Sequence, residues 1–214
     1  MMNWVFITLG ALAAAVVVVL LAVSFIERRQ AYELAGLEAE SPQVASPRTA
    51  VVYFSRSGNT ALAARHLANR LGARLFALDA PVYRLGPGGL VKALGDANAL
   101  KSTPEALPDI VPRTLDLSPF DTLWLGSPVW LYSPAPPIWA FIEHNRFDGK
   151  EVVLFNTYNS HFGEEHIAAL KARVMARGAK SFSHRHVLRG RMTRQLTPER
   201  MVAEIDKWFP KAEP

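Results

Sequence analysis

Residues Ser55-Arg56-Ser57-Gly58-Asn59-Thr60 gather three hydroxyls, an amide and a glycine into one short stretch. An apolar run from Ala50 ends at Ser55, and Leu62, Ala63, Leu67 and Leu71 follow at helical spacing, so the stretch sits where a strand gives way to a helix. Backbone N–H groups at a helix N-terminus, flanked by hydroxyls, can wrap a phosphate. The bland reading is an ordinary capped turn. There is no P-loop lysine and no G-x-G-x-x-G, so neither an NTPase nor a dinucleotide fingerprint is supported.

Two further stretches belong with the first. Gly126-Ser127-Pro128-Val129-Trp130-Leu131-Tyr132-Ser133-Pro134 follows an apolar strand and sets aromatics on a proline-stiffened loop where a planar ring can stack. Phe155-Asn156-Thr157-Tyr158-Asn159-Ser160 follows the next strand with amides and hydroxyls. Open parallel sheets bind ligands outside the carboxyl ends of their strands, so the three loops converge on one crevice. A phosphate seat beside a flat-ring seat describes a mononucleotide site.

In these three motifs the chain, from about residue 49 to 209, resembles the flavodoxin-like family. Ser55-x-Ser57-Gly58-Asn59-Thr60 resembles that family's FMN-phosphate loop, Gly126-x-Pro128-x-Trp130 the second flavin loop of a bacterial subgroup, and Phe155-x-Thr157 the third. The resemblance implies non-covalent FMN, with the phosphate held by Ser55, Ser57, Asn59 and Thr60. It implies cofactor contacts at Gly58, Ser127, Pro128, Val129, Trp130, Thr157, Tyr158 and Asn159 as well. Many relatives carry small residues after the threonine of the third loop, where this chain has Tyr158, Asn159 and Ser160. The fold implied is α/β, a five-stranded parallel sheet in the order 2-1-3-4-5 with helices on both faces.

The elements that must position these loops are legible on their own. Strands are expected at 50–55, 75–78, 122–125, 152–155 and 181–188. Helices are expected behind Pro136-Pro137, with Ile138, Phe141 and Ile142 inward, and through Ile167, Leu170 and Val174. A further helix is expected after Thr197-Pro198, an N-cap and first-turn proline, before Met201, Ile205 and Phe209. Residues 81–119, with six prolines and four glycines, read as an elaborated crossover around one helix near 90–100, either a surface connection or a lid. Arg56 reads as solvated. His161 and His166 flank the third loop as possible proton donors, and His184 and His186 share a strand face. No metal site is expected.

From Trp4 to Ile26 no residue is charged, a length of about 34 Å as helix against a hydrocarbon core of about 30 Å. Glu27-Arg28-Arg29 follows where a signal peptide would be cleaved. Residues 1–29 therefore read as a single transmembrane anchor, 30–48 as a tether that can continue as helix to residue 40, where Ala, Leu and Glu dominate, and that Ser41-Pro42 and Ser46-Pro47 make extended, and 49–214 as the folded domain. Arg28 and Arg29 place that domain on the cytoplasmic side by the positive-inside rule.

The 214 residues contain no cysteine, which excludes disulfides, thiolate metal sites and cysteine nucleophiles and leaves any redox chemistry to a bound cofactor. The net charge is +5, and from His166 to Pro198 there are eight Lys or Arg and no acid. That basic stretch suits anionic headgroups or a phosphorylated electron donor. No nucleic-acid module accompanies it, so nucleic acid is not an expected partner. The reading adopted is a membrane-anchored FMN oxidoreductase linked to NAD(P)H or quinone, because quinones reside in the bilayer. An electron carrier docking a redox protein partner, or a flavin-free interaction domain of the same fold, are the alternatives.

Overall fold

The computed structural model describes residues 2–36, 48–100, 102–103, 106–191 and 194–209. Strand β1, Thr49–Phe54, shows how the layers arise. Ala50, Val52 and Phe54 point into one core while Val51 and Tyr53 point into the other, the two-residue period of a strand buried on both faces. Around it lie β2 (Arg74–Leu78), β3 (Thr122–Trp130), β5 (Glu151–Tyr158) and β6 (Ser181–Leu188), all parallel, in the order β2-β1-β3-β5-β6. This is the expected 2-1-3-4-5 arrangement once the short β4, Ser133–Pro134, is set aside as an antiparallel partner of β3.

Helices α2 (Asn59–Leu71) and α6 (Pro198–Asp206) cover one face through Leu62, Leu67, Met201 and Ile205. On the other face α4 (Pro136–His144) and α5 (Glu164–Ala176) bury Ile138, Phe141, Ile142, Ile167, Leu170 and Val174, the residues their spacing selects. Thr197 caps α6 as its sequence implies, its hydroxyl accepting from the Arg200 N–H at 3.3 Å.

Two strands run longer than expected. β3 continues through Gly126–Trp130 and β5 through Tyr158, because Gly126, Ser127 and Pro128 stay in register with Phe155, Asn156 and Thr157. Gly126 permits this: a Cβ there would lie 2.3 Å from the Phe155 ring. The second loop is thus a strand end closed by a tight turn, with Leu131 and Tyr132 at positive φ. Residues 81–119 hold a 3-10 turn at Pro81–Tyr83 and α3, Pro87–Ala99.

The N-terminal helix α1 spans Met2–Ala35. Its Trp4–Ala35 portion has a mean hydropathy of 2.9 in its most apolar window and is long and apolar enough to cross a membrane. The helix does not end at residue 29. Residues 30–35, the start of the tether, continue it as the Ala-, Leu- and Glu-rich composition of 27–40 allows, and the remaining tether residues 37–47 lie outside the described residues. Ser24, Glu27, Gln30 and Leu34, three or four apart, form a buried stripe against the domain, Leu34 joining the core beneath α2.

Candidate functional site

The strand order changes direction between β1 and β3: α2 leaves β1 toward one face, and α4 follows β3 on the other. At the carboxyl ends there a cavity of about 350 Å³ opens, within the range of small-molecule sites. All three loops reach it. Ser55, Ser57, Asn59, Thr60, Pro128, Val129, Trp130, Thr157 and Asn159 line it.

Gly58 precedes α2 with φ at +92°, a conformation that favours glycine, and no side chain caps the helix start behind it. The N-terminal amides of α2 therefore face the cavity end without a side-chain competitor. The Thr60 and Thr157 hydroxyls meet at 2.8 Å and tie the first loop to the third. Gly58 itself is packed from behind, since a Cβ would sit 3.0 Å from Leu34 Cδ1.

Two predicted residues are turned elsewhere. Ser127 is fully buried, its hydroxyl donating to the Pro128 carbonyl at 2.9 Å and accepting from the Ala135 N–H at 2.8 Å, so it pins the turn and does not line the cavity. Tyr158 points to the opposite side of β5, packing edge-on against Phe162 and His186. The strand alternation that brings Thr157 and Asn159 to the cavity turns Tyr158 away.

Arg56 departs most from expectation. Its side chain is only 4% exposed and forms an ion pair with Glu27 of α1, while Nε donates to the Tyr83 carbonyl at 3.0 Å and Nη2 to that of Gly86 at 3.2 Å. Gln30, one turn on, donates to Asn59 Oδ1 at 3.3 Å and to Gln195. Arg189, just past β6, also reaches Asn59 Oδ1 through Nε at 2.8 Å. Glu27, Gln30, Arg189 and Gln195 thus complete the polar end. None was marked by a motif. The signal available was the three-residue spacing of Glu27 and Gln30 and the place of Arg189 at a strand's carboxyl end.

The other end is apolar. Trp130 is held edge-to-face by Phe54 and Tyr83, with centroids 5.6 and 5.2 Å away, and Tyr83 is itself fixed by donating to Asp96 Oδ2 at 2.8 Å. Val19, Leu20 and Val23 of α1 and Leu90, Ala93 and Leu94 of α3 form the remaining wall, so the crossover segment is part of the site. Among the described residues no histidine lines the cavity. His161 stacks on Tyr132 at 4.6 Å, and His166 borders a separate hollow beside Trp139. His184 donates through Nε2 to Asn156 Oδ1 at 2.9 Å, and burial, with His186 and Arg185 beside it, pushes its pKa down to about 4. The basic stretch is partly neutralised: Arg173 and Arg177 both pair with Glu143.

The residues present suit a phosphate at one end, through hydroxyls, amides and guanidinium, and a flat ring at the other, through Trp130 and the aliphatic wall. Comparison with known proteins agrees with that geometry at the level of fold. A flavoprotein from Bacteroides uniformis is similar over 76% of this chain and 97% of its own, with 22% identity and a TM-score of 0.61. A flavoprotein from Lactobacillus acidophilus, solved in complex with FMN, is similar over 76% of this chain and 99% of its own, with 19% identity and a TM-score of 0.55. No curated protein matches. The family model described as Flavodoxin matches residues 48–202, and with the strand order and the three converging loops it makes this chain a member of the flavodoxin family.

Proposed function

We propose that the chain is an FMN-dependent oxidoreductase anchored in a membrane by α1, linked to NAD(P)H or a quinone. The observation that carries this reading is a single cavity with a polar end at Ser55–Thr60 and an apolar end walled by Val19, Leu20 and Val23 of α1. FMN is the cofactor: its phosphate fits the amides of α2 with Ser57 and Thr60, and its ring fits the side of Trp130. When bound, the flavin supplies the redox chemistry, and the protein supplies position, exclusion of water and electrostatics.

Val19, Leu20 and Val23 are the last apolar turns before Glu27, so the ring end of the cavity lies where the span meets the aqueous side. An acceptor dissolved in the bilayer reaches that end without leaving an apolar surface, which favours a quinone. In such a reaction the nicotinamide donor is oxidised by two electrons. The quinone gains two electrons and two protons, one of them drawn from water. Arg28 and Arg29 favour a domain on the cytoplasmic side, where nicotinamide donors are found.

The test is turnover of NADPH or NADH with a short-chain quinone by the full chain in detergent micelles with FMN added. Quinone-dependent oxidation supports the enzyme reading. Bound flavin with no such turnover points instead to an electron carrier serving a partner protein.

A further inference from the structure

Arg189 is 5% exposed, and its backbone is fixed on both sides, N–H to the Tyr158 carbonyl and C=O from the Leu196 N–H, each at 2.8 Å. Its Nε is used on Asn59. Its Nη1 is buried and has no hydrogen-bond partner among the described residues, and neither has Ser55 Oγ in the same cavity. The other guanidinium at this end, Arg56, already has its counter-charge in Glu27. Glu199 acts on Arg189 from the exposed surface, but less strongly than burial does. A buried guanidinium is strongly disfavoured unless an anion meets it.

We propose that Arg189 is the charged seat of the FMN phosphate, with Nη1 and Ser55 Oγ as its donors. This rests on FMN being the cofactor and adds to it a cation that lies outside the Ser55–Thr60 loop. Three features converge: an uncapped helix start, an unmatched buried charge and a free hydroxyl, all bordering one cavity. A phosphate dianion satisfies them together. Gln30 and Arg189 share Asn59 Oδ1 as acceptor, so α1 helps to hold the seat in place.

The experiment titrates the flavin-free full chain in detergent with FMN and, separately, with riboflavin, which has the same ring and no phosphate. In Arg189→Met, FMN affinity is expected to fall about 10- to 100-fold, the loss of one charge-assisted bond, while riboflavin affinity stays within about 3-fold. Arg189→Lys restores the charge without the fork and is expected to recover part of the loss. Equal losses for both ligands would overturn the proposal by showing a purely structural role, and unchanged FMN affinity would overturn it directly. If Arg189→Met does not fold, the unmodified chain decides. Its preference for FMN over riboflavin should decline several-fold from pH 8 to 5, as the phosphate passes its second ionisation near about 6, and a constant preference would overturn the seat. Failure of the unmodified chain to bind FMN at all would overturn the cofactor reading itself, a result distinct from the others.

Discussion

At the loop end of the cavity Ser55, Ser57, Asn59 and Arg189 crowd around a helix start, whereas at the far end Val19, Leu20, Val23, Leu90 and Leu94 offer no polar side chain at all. The first end discriminates charge and the second shape and apolarity. One helix serves both: along α1, Val19 to Gln30 covers about 16 Å, passing from the aliphatic wall to the ion pair and amide that brace the polar loop. Helix α1 is therefore a wall of the site as well as a candidate membrane span.

The largest effect that would break this contrast is at the polar end. Replacing Ser57 and Thr60 together with alanine should weaken FMN binding by about 3–6 kcal/mol, at about 1.5–3 per bond to a charged group, and riboflavin far less. Calorimetric titration of both ligands checks it, and equal losses would erase the distinction between the ends. Next in size is Glu27→Gln, which leaves Arg56 buried without its counter-charge and should cost about 3 kcal/mol in denaturant unfolding of the full chain. Deleting residues 1–30 instead exposes Arg56 to water, so the truncated domain should fold with a smaller loss of stability and yet bind FMN more weakly. A truncation costing more than Glu27→Gln would mean that residues 1–30 contribute chiefly through the packing of the buried stripe at Ser24, Glu27 and Gln30 and not through the ion pair.

Trp130→Ala sharpens the comparison from the apolar end. It should weaken FMN and riboflavin alike by about 1–2 kcal/mol, because ring contact is common to both. The smallest effect lies outside the cavity. His184 has its ordinary pKa of 6.5 when unfolded and about 4 when folded, so the native state takes up its proton later. Stability is then full above pH 6.5 and is lost as the pH falls through that window. With part of the ring in contact with solvent the loss should be about 1 kcal/mol, read as a thermal midpoint that drops less in His184→Gln. FMN discrimination should be unaffected by that change.

The fold was legible because its strands are buried on both faces and its helices carry inward residues at the right period: Ile138, Phe141 and Ile142 behind two prolines, or Met201 and Ile205 behind Thr197-Pro198. The polar loop was legible for the same local reason, since a turn between strand and helix is written in contiguous residues. Glu27, Gln30 and Arg189 were not, because they come from elements far apart in the chain and meet only through tertiary packing. Arg56 misled as a loop arginine, its partner lying in a helix whose composition announced only a membrane span. Ser127 and Tyr158 misled because β3 and β5 extend further than their apolar runs, and alternation along a strand, not proximity in sequence, decides what reaches the cavity.

The most direct measurement is an absorbance scan of the full chain purified in mild detergent, followed by mass analysis of whatever it releases on denaturation. The expected result is the two-band visible spectrum of an oxidised flavin and release of intact FMN. A colourless protein that stays colourless after incubation with excess FMN would contradict FMN as the cofactor.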